Sequence, residues 1–414
     1  MRHRLLVASG ASLGLLAAVP GSAGEPTQRT WHGNQIHLYG VQAAGRYGAG
    51  VTVAVLDGWI DRSHPDFEGR VLAGADCRSG TCKAGLTPEN CGAHHGTHVA
   101  GTVGASNLGV APKSTILPVQ VLSSDSRGEC TGTPAAVAAG IRYAVAHGAK
   151  VLNLSLGPDN PGSTNAAIPT AVHQAAQAGA VVVFSAGNAD LPVSQSYGTD
   201  ALVVAATGPS GQLASYSQYG AGVTLAAPGG QPDSKDDCAI ADCVLSLYPD
   251  NQLAVAAGTS MAAPHVSGLA ALLFAQAPGR SRSTVIARIE STAHPLSGAG
   301  YGLVDVGRAL GVRGSTGTPT PSRTPTHRPT TPATTKASPR PSTSQPTAPA
   351  PRPSPRPSPM TPTSGTPTTQ PTPVPTPVVS APVGNDDGVP VPLAVGAGLL
   401  LLLAVGGVVR FGRR

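Results

Sequence analysis

Three polar residues in this sequence are of the types that together make a hydroxyl group reactive towards a carbonyl carbon. They are Asp57, His95 and Ser260, in that order along the chain. A serine hydroxyl is a poor nucleophile until a base removes its proton, and an imidazole titrates near neutral pH and can serve as that base. A carboxylate beside the imidazole fixes its tautomer and stabilises its protonated form. The residue types therefore predict acyl transfer by an activated serine.

The surroundings of each residue favour the same interpretation. Asp57 directly follows an apolar run, residues 53–56, and His95 begins the small-residue block HGTHVAG. Ser260 lies in the block GTSMAAPH, just before an apolar helical run, so the positive end of a helix dipole would favour an oxyanion there. Asn188 ends the block SAGN, and its amide is a donor suited to the same oxyanion.

The elements that must position these residues are short apolar runs alternating with alanine-rich runs. Residues 134–147, with Thr133 as the cap, and residues 166–178 are predicted helices. Continuous apolar strands separated by helices predict an α/β fold with a doubly wound, mostly parallel sheet and helices on both faces. Sites in such sheets lie beyond the carboxyl ends of the strands, where Asp57 and Asn188 fall. The predicted strands are residues 51–56, 116–121, 151–155, 180–184 and 202–206.

Five sequence blocks resemble those of the subtilisin-like serine proteases (subtilases, peptidase family S8). The resemblance covers about residues 50–310 and implies a subtilisin-like fold. It implies that Ser260 attacks the peptide carbonyl while His95 acts as general base and then as general acid. It also implies that Asp57 orients His95, and that Asn188 and the backbone N–H of Ser260 stabilise the oxyanion. The blocks are VAVLD (53–57), HGTHVAG (95–101), NLSLG (153–157), SAGN (185–188) and GTSMAAP (258–264).

The resemblance also assigns the peptide-binding strand and the base. Ser155, Leu156 and Gly157 would hold an extended peptide as an added strand and wall the first specificity pocket. The family places its base at the first histidine of His-Gly-Thr-His, which favours His95 over the two other histidines of this stretch.

The chain departs from the family pattern directly after Asp57. The family usually continues with Ser or Thr and then Gly, whereas this chain has Gly58 and Trp59. The missing hydroxyl removes a hydrogen bond expected at Asp57, and Trp59 is expected to narrow the cleft. We expect this departure to change the turnover rate and the fit of the substrate more than it changes the class of reaction.

The two ends of the chain predict export and attachment to a membrane. Residues 1–23 have the basic, apolar and small-residue regions of a signal peptide, with an uncleaved anchor as the alternative. Residues 389–409 carry no charge and are long enough to cross a bilayer, and a lipid-anchor signal is the alternative. The basic tail, residues 410–414, would stay cytoplasmic. We therefore expect a single-pass protein of the cell membrane with its catalytic domain outside.

The region between these ends divides into a globular part and a spacer. Residues 24–312 form the predicted peptidase domain, with an N-terminal extension at about residues 31–47 that wraps the body. Residues 313–388 are rich in Pro, Thr and Ser and predict a disordered linker, because they cannot bury enough apolar surface to offset their ordering entropy.

The charge distribution excludes a nucleic-acid groove. The formal charge of the chain is +6, but residues 25–312 hold 15 Lys and Arg against 19 Asp and Glu, a balance of −4. The basic excess is confined to the ends, which does not create a basic groove for phosphates. Nucleic acid is therefore not expected as a partner. The family resemblance implies a polypeptide substrate, and the apolar segment 389–409 implies a membrane.

The domain order carries a narrower resemblance. A signal peptide, a very short pro-region, a subtilase domain, a Pro-rich spacer and a C-terminal membrane helix are similar to the mycosins of actinobacteria. The mycosins are membrane-anchored subtilases of type VII secretion, so this resemblance implies a secretion-system membrane complex as a partner. A generic wall-associated subtilase is the alternative.

Six cysteines in an exported chain predict disulfides. The sequence alone allows 15 pairings. Cys91 also begins a stretch with histidines at zinc-ligand spacing, but an oxidising compartment and the role of His95 oppose a zinc site. The pairs that we favour are Cys77 with Cys82, Cys91 with Cys130, and Cys238 with Cys243.

No cofactor is expected to be required, and no metal is assigned. Members of the family often bind calcium in surface loops, which leaves a structural calcium ion as an unsupported alternative. An acidic patch is interpreted as an exposed loop rather than as such a site; it consists of Asp233, Asp236, Asp237 and Asp242.

Two other functions are alternatives to a serine protease. One is a catalytically silent subtilase-like module that docks on a secretion complex, although such a module has no use for a complete set of Asp57, His95, Ser260 and Asn188. The other is an α/β-hydrolase esterase or lipase. That fold orders its triad Ser, Asp, His and uses Gly-x-Ser-x-Gly, whereas Ser260 is last here and its block lacks the final Gly.

Overall fold

The computed structural model describes residues 29–89, 91, 94–125, 130–157, 166–193, 197–233 and 238–312, and the backbone of Leu5–Leu6 and Gly14–Leu16. Every described residue belongs to one compact unit. Apart from those two short backbone stretches, the predicted signal peptide lies outside the described residues, as do the linker, the membrane helix and the basic tail. Among the described residues, no helix combines the length and hydropathy needed to span a bilayer.

Strands and helices alternate through most of the domain. The helices are α1 (Trp31–Gln35), α2 (Leu38–Ala43), α3 (His95–Gly104), α4 (Pro134–Ala146), α5 (Ala167–Gln177), α6 (Thr259–Gln276), α7 (Arg282–Thr292) and α8 (Val306–Leu310), with a 3₁₀ turn at Pro65–Phe67. The strands are β1 (Leu5–Leu6), β2 (Gly14–Leu16), β3 (Thr52–Asp57), β4 (Ala75–Asp76), β5 (Lys83–Ala84), β6 (Thr115–Gln120), β7 (Ser123–Ser124), β8 (Cys130–Gly132), β9 (Val151–Leu154), β10 (Val181–Ser185), β11 (Ala201–Thr207), β12 (Leu225–Pro228), β13 (Val244–Tyr248) and β14 (Gln252–Ala256).

An eight-stranded sheet forms the centre of the domain, in the order β12-β11-β10-β9-β3-β6-β4-β5. Every neighbouring pair is parallel except β4 and β5. Two small antiparallel sheets flank it, in the orders β13-β14-β2 and β1-β8-β7. The mostly parallel α/β fold expected from the sequence is thereby confirmed.

The parallel strands β3, β6, β9, β10, β11 and β12 are largely apolar because each of them faces two cores. In β3, Val53 and Val55 enter one buried cluster, while Ala54 and Leu56 enter the other. The first cluster includes apolar residues of α3 and α6, and the second includes those of α4 and α5. Helices cover both faces of these described strands, which explains why the sequence shows continuous apolar runs rather than alternation.

The helix α6 is buried over most of its length. Its residues 259–274 are all buried, and it packs against α3 and against strands β9, β10, β11 and β12. The small residues of its sequence allow this close approach from several sides. The N-terminus of α6 therefore has a fixed position at the carboxyl ends of the parallel strands.

The N-terminal segment, which we define as residues 29–47, is bound to the body of the domain. The indole N–H of Trp31 donates to the carbonyl of Cys243 at 2.9 Å, and the amide of Gln42 donates to the carbonyl of Gly109 at 3.0 Å. The backbone N–H of Val306 donates to the carbonyl of Ile36 at 2.9 Å. The N-terminal segment is thus bound both to the residue that precedes β13 and to the start of α8, near the C-terminal end of the domain.

Candidate active site

Asp57 and His95 meet at the carboxyl edge of the central sheet. Asp57 is the last residue of β3 and is fully buried, and His95 is the first residue of α3. Nδ1 of His95 lies 3.0 Å from each carboxylate oxygen of Asp57. Nε2 of His95 is buried and has no hydrogen-bond partner among the described residues. A proton on Nδ1 leaves the lone pair on Nε2, which is the arrangement that a general base needs.

Ser260 is linked to the end of a neighbouring strand by two reciprocal hydrogen bonds. Its Oγ donates to the carbonyl of Ser155 at 3.2 Å, and Oγ of Ser155 donates to the carbonyl of Ser260 at 2.7 Å. The amide of Asn153 donates to Oγ of Ser155 at 2.9 Å. These bonds hold the first turn of α6 against the end of β9.

Asn188 is held beside the N-terminus of α6. Its Oδ1 accepts from the backbone N–H of Thr259 at 2.9 Å and from the hydroxyl of Thr259 at 2.7 Å. Because Oδ1 is committed to these donors, the Nδ2 group points away from them. A Cβ placed on Gly258 would lie 3.2 Å from Nδ2 of Asn188, so glycine leaves this donor unobstructed two residues before Ser260.

Thr259 is a positioning residue that the sequence interpretation missed. Besides its two bonds to Asn188, its hydroxyl accepts from the backbone N–H of Gly187 at 3.0 Å. A signal was present in the sequence, because Thr259 directly precedes Ser260. Its partners are 71 and 72 residues away, so only the fold shows which amide it orients.

The departure from the family pattern at Gly58 has a steric reason. A Cβ at this position would lie 3.0 Å from Cβ and 3.2 Å from Sγ of Cys91, which is bonded to Cys130. A serine or threonine there would compete for space with the disulfide. The backbone N–H of Gly58 donates to Oδ1 of Asp57 at 2.7 Å, so the carboxylate retains a nearby donor.

Trp59 contributes to an aromatic wall beside the predicted base. Its ring lies 5.9 Å from the ring of His94, and His94 lies 5.2 Å from the ring of Tyr248, both in edge-on arrangements. His94 precedes the helix in a left-handed conformation, with φ 65°. His94 therefore belongs to this wall, whereas its neighbour His95 is turned towards Asp57.

The predicted peptide-binding residues differ in their exposure. Ser155 and Leu156 are buried, and Gly157 is partly exposed. The carbonyl of Ser155 faces Ser260 through the bond already described. Residues 158–165, which follow, lie outside the described residues. The role of this strand in binding peptide stays a prediction.

The six cysteines form three disulfides, which are the three pairs favoured from the sequence. The disulfide of Cys91 removes the sulfur ligand from the alternative zinc site, and His98 is turned into the interior, where its Nε2 donates to the carbonyl of Val244 at 3.0 Å. Asp236 and Asp237 of the acidic patch lie outside the described residues, so a calcium ion there remains untested. The disulfides are Cys77–Cys82, Cys91–Cys130 and Cys238–Cys243.

Three fully buried histidines lie behind the site. Nδ1 of His265 donates to the carbonyl of Met261 at 2.8 Å, and its Nε2 accepts from Nδ1 of His32 at 3.0 Å. Burial lowers the pKa of His265 to about 4. Burial, together with the nearby His95, lowers the pKa of His98 to about 3. Burial and the two other histidines hold the pKa of His32 well below its ordinary value.

These histidines predict a loss of stability in mild acid. They remain neutral in the folded chain, whereas histidines of the unfolded chain bind protons below about pH 6.5, so the unfolded state gains more protons as the pH falls. For His265 the free energy of unfolding should drop by about 1.4 kcal/mol per pH unit, on the order of 3 kcal/mol by about pH 4. Denaturant titrations of a Ser260→Ala chain, which cannot digest itself, would measure this slope.

A His265→Gln variant provides the comparison for this pH dependence. Between about pH 6 and about pH 4.5 the free energy of unfolding of this variant should fall less steeply with pH than that of the parent. The difference in slope should be about 1.4 kcal/mol per pH unit, which corresponds to one proton. Above about pH 7 the two stability curves should run parallel. Equal slopes in both chains would show that His265 does not contribute to the acid sensitivity.

Comparisons with known proteins agree on one family. The model of the subtilase family (Peptidase_S8) matches residues 48–321 of this chain. Thermitase of Thermoactinomyces vulgaris is 41% identical over 262 residues, which are 61% of this chain and 84% of thermitase. Subtilisin BL of Lederbergia lenta is 36% identical over 286 residues, which are 66% of this chain and 96% of that protein.

Solved structures give the same result. A protease from Pseudoalteromonas arctica PAMC 21717 matches with a TM-score of 0.59 at 30% identity, covering 67% of this chain and 93% of that one. A cold-adapted subtilisin-like serine proteinase matches with a TM-score of 0.52 at 32% identity, covering 62% of this chain and 88% of that one. The similarity extends over nearly the whole of these relatives, so it concerns an entire domain and not isolated motifs.

Proposed function

Because this chain belongs to the subtilase family and is a subtilisin-like serine endopeptidase, we propose that Asp57, His95, Ser260 and Asn188 carry its chemistry. The observation that supports this assignment most directly is the bond between Nδ1 of His95 and the buried carboxylate of Asp57, with Nε2 of His95 left unpartnered among the described residues. An imidazole held in this way is ready to take a proton from a serine.

The proposed reaction starts with a rotation of the Ser260 hydroxyl. Its proton, which now points to the carbonyl of Ser155, turns to Nε2 of His95. As Nε2 takes the proton, Oγ forms a bond to the carbonyl carbon of the peptide. The C–N bond then breaks, and His95 gives its proton to the leaving amine. Water, activated by the same imidazole, attacks the acyl group and releases Ser260.

The negative oxygen of the tetrahedral intermediate would be held by the Nδ2 group of Asn188 and the backbone N–H of Ser260. Thr259 holds the other end of the Asn188 amide through two hydrogen bonds, so the donor needs no reorganisation when charge develops. The start of α6 adds the positive end of its dipole at the same place.

An Asn188→Ala variant is expected to lower kcat by about 10²–10³-fold with little change in KM, because this donor acts on the transition state rather than on the bound substrate. Steady-state kinetics on a chromogenic peptide would measure both constants. Thr259→Ser, which retains the hydroxyl that orients the amide, serves as the control and should stay close to wild type. A kcat unaffected by Asn188→Ala would remove Asn188 from the mechanism.

Labelling by a fluorophosphonate tests the proposed function against a silent docking module. The reagent reacts with a serine only where a base activates it. We expect one adduct per folded mature chain, located on Ser260 by mass spectrometry, and no adduct on the heat-unfolded chain. A folded chain that takes up no label would favour the docking module.

We further propose that the enzyme is exported and tethered to the cell membrane. The proposal rests on the sequence of residues 1–23, 313–388, 389–409 and 410–414. Fractionation of cells that express the full chain should place it in the membrane, and removal of residues 389–414 should release it into the medium. A full chain found in the medium would contradict the tether.

We also propose that this enzyme serves type VII secretion as a mycosin, with an exported polypeptide as its substrate. The support is the order of the predicted segments in the chain. Secreted proteins from cells with wild-type enzyme and with Ser260→Ala should differ in the processing of specific type VII substrates. Identical secreted proteins would favour a generic wall-associated subtilase.

A further inference from the structure

Two histidines and a buried carboxylate, none of them a predicted active-site residue, meet where the N-terminal segment contacts the C-terminal end of the domain. Nδ1 of His37 lies 3.0 Å from Oδ2 of Asp305, and Nε2 of His294 lies 2.8 Å from the same oxygen. The three donor atoms all lie within 4.8 Å of one another. His37 is more than 250 positions from the other two residues in the sequence, so the fold alone brings it to them.

The donor set suits a divalent first-row transition metal. Imidazole nitrogens and a carboxylate oxygen are ligands of zinc, and three protein ligands leave a fourth position for water. Ligands bound to zinc at about 2.0–2.1 Å lie about 3.3 Å apart in a tetrahedral site. The observed separations of 2.8 and 3.0 Å are slightly shorter, so a small outward movement of the imidazoles would admit an ion.

The backbone around each ligand is fixed independently of any ion. His37 has a left-handed conformation, with φ 57°, between α1 and α2. His294 exchanges two backbone hydrogen bonds with Leu303, both 2.8 Å long. The second oxygen of Asp305 accepts from the backbone N–H of Arg308 at 2.8 Å, which orients the carboxylate. A ligand held by such an outer contact binds metal more tightly than a mobile one.

The cluster is open to solvent on one side. The carboxylate of Asp305 is fully buried, while the side chain of His294 is 47% exposed and gives an ion a path of entry. The guanidinium of Arg308 lies 3.4 Å from Nδ1 of His294. When Nε2 binds a metal, Nδ1 carries the proton and no longer accepts from Arg308. Since Arg308 is exposed, it can turn into solvent.

We propose that His37, His294 and Asp305 form a zinc-binding site that fastens the N-terminal segment to the C-terminal end of the domain. Zinc bound there replaces the shared hydrogen bonds to Asp305 by bonds to one ion. A Zn²⁺ ion bound by two neutral imidazoles and one carboxylate forms a complex with a net charge of +1. A bound hydroxide or the surrounding solvent can compensate this charge. The role of the site is structural, since it joins elements near the two ends of the domain.

Titration of the full chain carrying Ser260→Ala with ZnCl₂ tests this site without self-digestion. Calorimetry should show one ion per chain, lost or weakened at least tenfold in His294→Gln, because even an outer-shell change costs about 10- to 100-fold in metal affinity. Zinc should also raise the thermal midpoint of the parent chain but not that of His294→Gln, since a ligand that binds only the folded state stabilises it.

The matched control is His173→Gln. His173 is another exposed histidine paired with a carboxylate, with Nδ1 2.8 Å from Asp200, but it has no third metal ligand in the described residues. This variant should bind zinc as the parent does. Near-UV circular dichroism of each variant checks that the fold is retained; should His294→Gln unfold, His37→Gln provides the same test. Absence of zinc binding by the parent, or equal affinity in folded His294→Gln, would show that the cluster is only an ionic contact.

Discussion

Replacement of Ser260 by alanine is expected to lower kcat by on the order of 10⁶-fold, because a triad acts as a unit and little catalysis remains without its nucleophile. Ser260 lies in the first turn of α6, where the deletion of one oxygen leaves the helix and its packing unchanged. Among the described residues its Oγ donates one hydrogen bond, to the carbonyl of Ser155, so the folded state should lose little stability. Hydrolysis of a peptide substrate and the thermal midpoint should be measured on the same preparation.

Ser155→Ala is the matched control for this experiment. It removes an equally buried hydroxyl, which donates to the carbonyl of Ser260 and accepts from Asn153, but it leaves the proposed nucleophile in place. We expect this variant to lose far less activity than Ser260→Ala. Undiminished cleavage by a folded Ser260→Ala chain would refute the assignment of the nucleophile.

Asp57→Asn is expected to lower kcat by about 10⁴-fold with the fold intact. The carboxylate accepts from Nδ1 of His95 and from the backbone N–H of Gly58. A carboxamide has the same shape, but its oxygen can satisfy Gly58 while its N–H₂ group faces His95. Nδ1 must then act as an acceptor, so the proton moves to Nε2, which can no longer take a proton from Ser260.

The control for this variant is Asp61→Asn. Asp61 is another buried carboxylate, in the loop that follows β3. It accepts from the hydroxyl and from the backbone N–H of Ser63. It has no bond to His95 among the described contacts. Asp61→Asn should therefore change kcat by less than about tenfold. A kcat for Asp57→Asn as high as that of this control would mean that Asp57 does not set the tautomer of His95.

Much of the fold could be predicted because parallel strands buried on both faces are apolar throughout. Residues 51–56 were expected to be a strand and form β3 one residue later, at Thr52–Asp57, and residues 134–147 form α4 at Pro134–Ala146. The strands β13 and β14 were missed, although they pair as an antiparallel hairpin. A local signal was present, because the apolar runs VLSLY and QLAVA flank the turn residues Pro249, Asp250 and Asn251. The packing of β13 against α3, by contrast, depends on the fold.

The site shows the same division between local and distant signals. Asp57, His95 and Ser260 stand in distinctive blocks, so their types and order could be read from the sequence. The reason for Gly58 could not, because the disulfide that fills its side-chain space joins residues 39 positions apart. The cluster around Asp305 was also invisible, since its two histidines come from opposite ends of the domain.

Because α6 is buried, we expect the position of Ser260 to persist for as long as the domain stays folded. Ser260 stands at the end of a helix that is covered on all sides over residues 259–274. Local openings that release a surface element cost little free energy, whereas an element enclosed by the core comes apart only when the whole domain unfolds. We therefore expect the proposed nucleophile to lie in an element whose amide hydrogens exchange slowly. Loosening of surface elements alone should therefore leave the position of Ser260 unchanged.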